Sequence, residues 1–317
     1  MRIGFGIAAA MLVGVCAAAA QAQNMMKVGI GISGWTGFAP ITLAKEAGLF
    51  AKNGIEATVK NIPQKDRHLA IASGDIQCAA TTVETWIVWN AAGVETTQIF
   101  QLDKSYGADG LAVRGDIKSI KDLKGKKIAA WAPGTAPYFL ASWFLKKNGL
   151  SIKDVTVVNL DPQNAAKAFV SGQDIAAAAT YEPYLSSVRE NPSSGRIVAT
   201  TLDYPMVMDT FGCAPKFLKD NPKIGAVLYK GYLDALEMIK KEPEKSFGIM
   251  GAAVKQDAKA FEKSQSFLRW QDAAANKKFF GGEIQAFLAE AADLLLETGV
   301  IKQKPDLAKI VDASYVK

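Results

Sequence analysis

Strand-like and helix-like stretches alternate along this chain in two successive runs, and few architectures accept that pattern. In the first run, strands are predicted over residues 27–32, 55–61, 75–80 and 95–102, with helices over 39–53, 66–73 and 83–92. The rhythm restarts after Tyr106, with strands over 109–114, 128–131, 155–159, 175–180, 197–200 and 207–214. Helices fall between them at 137–148, 163–171 and 183–190. From Pro215 onward the pattern is helical to the end, broken at Pro222, Pro243 and Gly281-Gly282. Repeated strand–helix alternation predicts an α/β fold of mostly parallel sheets flanked by helices. Strand-type crossings near 103–112 and 207–214 suggest that a second unit is inserted into the first. The expected division is lobe 1 over 24–106 plus 213–317 and lobe 2 over 107–212. Two lobes joined by paired crossings form a cleft that hinges open and shut. Ligands of such sheets sit at the C-terminal ends of the strands.

The first 22 residues set the compartment. Arg2 supplies a positive charge, residues 3–20 are apolar, and Ala20-Gln21-Ala22 places small residues at both specificity positions. This is the pattern of a secretory signal peptide, cleaved near Ala22. The polar residues Gln21, Gln23 and Asn24 follow it in place of a basic stop-transfer cluster. Val15 stands before Cys16 where a lipoprotein site carries a small residue, which argues against lipidation. The expected location is therefore periplasmic.

Composition narrows the function. A hydrophobic fraction of 49% is ordinary for a globular chain with real cores. The formal charge is +6, but the lysines are interleaved with acids, as in Glu237 to Lys245. No basic block with interleaved aromatics appears, so nucleic acid is not indicated as a partner. Beyond the signal there are two cysteines, Cys78 and Cys213, neither in a Cys-x-x-Cys pair. Neither a zinc site nor a thioredoxin-type site is indicated. A disulfide is allowed in an oxidising compartment, yet each cysteine sits in an apolar strand-like run, which favours buried free thiols.

Five phrases in order carry a resemblance: Gly-Leu-Phe-Ala-Lys-Asn-Gly-Ile-Glu (48–56), Ala-Ser-Gly-Asp-Ile-Gln (72–77), Ile-Lys-Asp-Leu-Lys-Gly-Lys (120–126), Pro-Gly-Thr (133–135) and Tyr-Glu-Pro-Tyr (181–184). Across the whole mature length the chain resembles the nitrate/sulfonate/taurine family of substrate-binding proteins of ABC importers. The resemblance implies a two-lobed type II periplasmic binding fold. It also implies a monomeric receptor that delivers a small solute to an inner-membrane permease with its cytoplasmic ATPase. It places ligand contacts in loops matching 33–38, 81–86, 132–138 and 180–184.

Those loops, read as residues, point to a particular ligand chemistry. Helix N-termini favour anions, yet two of the loops carry Glu84 and Glu182 at such positions, and none contains Arg or Lys. Acids in a first helical turn also serve as caps, so capping is the competing reading for both. Asp109 and Asp209 lie near the crossings and can reach the cleft. Several carboxylates without a cation repel an anion and suit a guanidinium, which pairs with carboxylates and stacks on aromatic faces. Trp35, Trp86, Tyr106, Tyr138 and Tyr181 supply candidate rings, with core packing as the alternative for each. Thr36, Thr82, Thr85 and Thr135 add hydroxyls. A neutral amide such as urea also fits. The run Lys65-Asp66-Arg67-His68 could reach the cleft mouth and neutralise a sulfonate, though it reads more readily as an exposed helix start. The expected ligand is a small nitrogen-rich cation or amide, with an aliphatic sulfonate or taurine as the rival.

Enzyme readings find little support. Gly29-Ile30-Gly31-Ile32-Ser33-Gly34 matches G-x-G-x-x-G, but its first two glycines lie inside the strand and not in the turn after it. His68 is the single histidine, so no histidine pair is available for zinc; a Ser-His-Asp arrangement would have to use it, yet the sequence has no G-x-S-x-G elbow. Pyrimidine-precursor synthases share the implied fold and use a lysine close to a histidine, which Lys65 and His68 echo. Their cysteine cluster is missing here. No cofactor is expected. A binding protein that docks on a sensor kinase is the remaining class.

Overall fold

A computed structural model describes residues 25–316. The signal-peptide reading, with Cys16, concerns residues outside that range. Strands β1 (Met26–Ile32), β2 (Ile55–Asn61), β3 (Cys78–Thr82) and β4 (Thr97–Ser105) build the first sheet. The chain then crosses to a second sheet of β5 (Asp109–Val113), β6 (Lys127–Ala129), β7 (Thr156–Val158), β8 (Ala177–Tyr181) and β9 (Arg196–Thr200). It returns as β10 (Met208–Cys213), and β11 (Leu268–Trp270) closes the edge. The strand orders are β11-β4-β10-β3-β1-β2 and β7-β6-β8-β5-β9. This is the two-lobed α/β arrangement expected from the alternation.

The sheets are mixed, for a topological reason. Pairs around β1 and β6 are parallel, as strand–helix–strand units require. Strands next to the crossings run the other way: β10 is antiparallel to β3 and β4, and β5 to β8 and β9. β10 lies inside the first sheet, and the last strand of the second sheet ends at Thr200.

Local sequence accounts for most elements. Helix Pro162–Val170 starts on Asp161, whose carboxylate accepts from the Asn164 N–H at 3.0 Å. Asp257 and Asp272 cap later helices in the same way. The single helix expected over 39–53 is two, Ala39–Glu46 and Leu49–Lys52. Gly48 at φ +71° separates them, a conformation glycine adopts without steric cost. The tail is helical as expected except for β11, a three-residue edge strand antiparallel to β4. Among the described residues no helix is long and apolar enough to cross a membrane.

The expectation of buried free thiols is overturned: Cys78 and Cys213 form a disulfide. Strand register is the cause. Antiparallel pairing of β3 with β10 sets Cys213 directly opposite Cys78, with Cα atoms 3.9 Å apart. A pairing of residues 135 apart is not visible in either local run.

Candidate functional site

Strand register also assembles the charged centre between the lobes. In the first sheet, Asp209 lies opposite Asp103 on β4 and Thr82 on β3. That is a row across three adjacent strand ends. In the second sheet, Asp109 opens β5 opposite Tyr181 at the end of β8. These two rows, the turn after β1 and the segment after β2 enclose a cavity. Ser33, Trp35, Phe38, Gln64, Arg67, Thr82, Asp109, Ala136, Tyr181, Val207 and Asp209 line it. The space they leave is small, with room for about one water molecule as the side chains stand.

Trp35 lines the cavity and is anchored by Asp103. The indole Nε1–H donates to both carboxylate oxygens of Asp103, at 3.2 and 3.3 Å. The Trp35 ring meets Tyr181 edge-on, with centroids 5.4 Å apart, so one aromatic from each lobe closes the wall. Gly37 permits this packing. A Cβ there would fall 2.2 Å from both the Asp103 Oδ2 and the Trp35 Nε1.

Arg67 contradicts the reading of residues 65–68 as an exposed helix start. It is 1% exposed and lines the cavity. Its Nε donates to the Ile62 carbonyl at 2.8 Å and its Nη1 to the Ala80 carbonyl, while Nη2 has no partner. Burial lowers its pKa to about 10, so it stays charged at neutral pH. Lys65 does behave as expected for a surface residue, pairing with Asp66 at 2.9 Å. His68 stacks on Trp89, with centroids 6.0 Å apart, and is not among the cavity residues.

Carboxyl groups outnumber this one guanidinium. Asp109 and Asp209 line the cavity, and each keeps one buried oxygen without a partner. Burial raises Asp109 to about 7, and the charge of Glu182 adds to the rise. Burial holds Asp209 well above the usual carboxylate range, with Asp103, Asp109 and Glu84 adding repulsion. Asp103 is likewise held high by burial, against the pull of the Trp35 hydrogen bond. Glu84 sits in the first turn of helix Val83–Ala91 and is raised by burial to about 8. One of its oxygens accepts from the Thr82 hydroxyl, and Oε2 has no partner.

The remaining sequence candidates are placed as follows. Thr36 is buried with its hydroxyl unpartnered. Thr82 and Thr85 bond each other at 2.8 Å and both accept from Gln64 Nε2. The Thr135 hydroxyl donates to the Ala132 carbonyl, and its neighbour Ala136 reaches the cavity. Tyr138 is half-buried outside it. Trp86 is wholly buried in the core, where its Nε1 donates to the Thr210 hydroxyl at 2.7 Å. Tyr106 is 51% exposed beside Arg269, 4.3 Å from ring centre to guanidinium. Glu182 is buried but engaged within its own lobe. It accepts from Arg189 and from the Ser186 N–H, the ion pair with Arg189 being outside both sequence readings. Asp209 and Asp109, and neither glutamate, line the cavity, one from each sheet.

Sequence reasoning missed Gln64 and Val207, which line the cavity, and Asp103, which anchors Trp35. Gln64 is the most consequential. Its Nε2 donates to the Thr81 and Thr85 hydroxyls at 2.8 and 2.9 Å, and its Oε1 accepts from the Ala136 N–H at 3.0 Å. The first pair belongs to lobe 1, and Ala136 opens helix Ala136–Lys147 of lobe 2.

Comparisons with known proteins agree with this architecture. A Brucella abortus protein named as a binding protein is 26% identical over 93% of this chain and 93% of its own length. A Bacillus subtilis protein that carries the name of an aliphatic sulfonates-binding protein is 25% identical over 96% and 91%. The periplasmic aliphatic sulphonate binding protein SsuA of Escherichia coli superposes with a TM-score of 0.75 at 20% identity, over 90% of this chain and 92% of SsuA. The periplasmic nitrate-binding protein NrtA of Synechocystis gives 0.70 at 17%, over 90% and 84%. The desulfurization enzyme DSZB gives 0.65 at 15%, over 91% and 97%, so the fold also hosts catalysis. The sequence model described as NMT1/THI5 like matches residues 35–246, more than half of the chain. With the fold of periplasmic substrate-binding proteins and that match, the chain belongs to the NMT1/THI5-like family.

Proposed function

We propose that the protein is the periplasmic solute-binding component of an ABC importer, and that it captures a small nitrogen-rich cation or amide, guanidine- or urea-like. The carrying observation is the excess of carboxyl groups around one small cavity. Asp109 and Asp209 line it with unpartnered oxygens, and Asp103 and Glu84 stand beside Asp209. Unpartnered carboxyl oxygens gain from N–H donors, and whichever of these groups ionises in the cavity favours a cation and repels an anion. Capture between the lobes favours the closed state, because contacts to Asp209 and Asp109 are available together only there. The disulfide supports a location outside the cytoplasm, where such bonds persist. The partners are then a membrane permease and its ATPase, with the receptor acting as a monomer and carrying no catalysis or cofactor of its own.

The rival ligand is an aliphatic sulfonate or taurine, favoured by one specific observation: the unpartnered Nη2 of Arg67 in the same cavity. The name of the Bacillus subtilis relative points the same way. Calorimetry with guanidine, urea, taurine, an alkanesulfonate and nitrate separates the two. Binding of guanidine or urea supports the proposal. A tight sulfonate or nitrate with no response to either nitrogen compound sinks it. Turnover of any bound compound would refute the carrier role.

A further inference from the structure

Within that reading, on which the following step rests, the cavity discriminates among nitrogen-rich solutes. Its unpartnered atoms are of both kinds. Arg67 Nη2 is a buried donor, while Asp109 Oδ2 and Asp209 Oδ2 are buried oxygens, and all three residues line the one cavity. Arg67 is held from behind by the Ile62 and Ala80 carbonyls. Its free nitrogen is therefore oriented by the protein before a solute arrives. A buried charged group without a partner costs more than a neutral one, so a matching solute gains by supplying partners to every such atom.

This requirement divides the candidates. A guanidinium has donors only; it leaves Arg67 Nη2 unmet and places a second cation in the same space. A sulfonate has acceptors only; it satisfies Arg67 and faces the oxygens of Asp109 and Asp209. A urea-type amide has one carbonyl oxygen and several N–H groups on a plane. We propose that the cognate solute is a small neutral urea-type amide, with its carbonyl oxygen accepting from Arg67 Nη2 and its N–H groups donating to Asp109 and Asp209. The edge-on pair of Trp35 and Tyr181 and the Phe38 ring supply apolar walls for a flat molecule.

The test is calorimetry on the mature protein with urea, acetamide, guanidinium chloride, taurine and methanesulfonate as probes. Urea should bind at least about tenfold more tightly than guanidinium, the scale of one hydrogen bond to a charged group. Arg67→Gln, which removes the charge, should narrow that ratio to about unity, with a melting curve to verify folding. Guanidinium binding as tightly as urea or more so overturns this inference and leaves the nitrogen-rich reading in place. Binding of taurine or methanesulfonate alone overturns both. The wild-type ratio decides the matter even if the variant does not fold.

Discussion

At the scale of single residues, Arg67, Asp109 and Asp209 share one burial problem. Asp109→Asn and Asp209→Asn each put an amide N–H₂ where a carboxyl oxygen can accept, so each should weaken binding of the nitrogen-rich solute by about 1 kcal/mol, measured by calorimetry. Glu182→Gln should behave differently. Its carboxylate serves Arg189 and the start of a helix, so the loss is in folding, about 3 kcal/mol by denaturant titration, with solute affinity unchanged. The raised carboxyls add a pH dependence. Glu84 moves from 4.5 to about 8 and Asp109 from 3.8 to about 7 on folding. In that window the folded protein holds protons that the unfolded chain releases. This contribution to stability is full below about pH 4 and is lost as pH rises to about 8. The melting temperature of the ligand-free protein should therefore fall from about pH 5 to about pH 8, and Glu84→Gln should flatten the slope. A melting temperature that climbs across that range would contradict the assignment.

Among elements, what could be read in advance followed what is local. Residues 55–61 are a strand in both the sequence reading and the structure, and 83–92 differs by a single residue at its end, because apolar spacing and flanking glycines act over a few positions. The short edge strand β11 escaped because three residues carry no period. Arg67 escaped because Lys65, Asp66 and His68 around it read as a solvated charge run. Its signal was there: Arg67 and Ile71 are four apart, and these two are the buried residues of helix Arg67–Ala72. Asp103 was likewise visible as an acid within the otherwise buried strand β4. Gln64, by contrast, owes its role to a helix start 72 residues away, which no local pattern encodes. The pairing of Cys78 with Cys213 belongs to this non-local class. Cys78→Ser combined with Cys213→Ser should lower unfolding free energy by about 2–5 kcal/mol, read from denaturant curves with and without reductant. Coincident curves under the two conditions would show that the bond adds nothing to stability.

For the whole molecule, the question is what holds the two lobes against each other. Gln64 spans them with two donors on one side and one acceptor on the other. Gln64→Ala removes the span and leaves the Ala136 N–H without its partner. Solute affinity should fall by about 1 kcal/mol, five- to sixfold. The radius of gyration in solution scattering should rise for the variant at a solute concentration that closes the wild type. The disulfide has a reach beyond stability. It joins β3 to β10, and every strand of the second sheet lies between those points in sequence. The inserted lobe is thus threaded on a covalent ring. A protease that nicks any of its loops converts one polypeptide into two without freeing either, and the nicked receptor keeps its full mass on a gel until a reductant opens the ring.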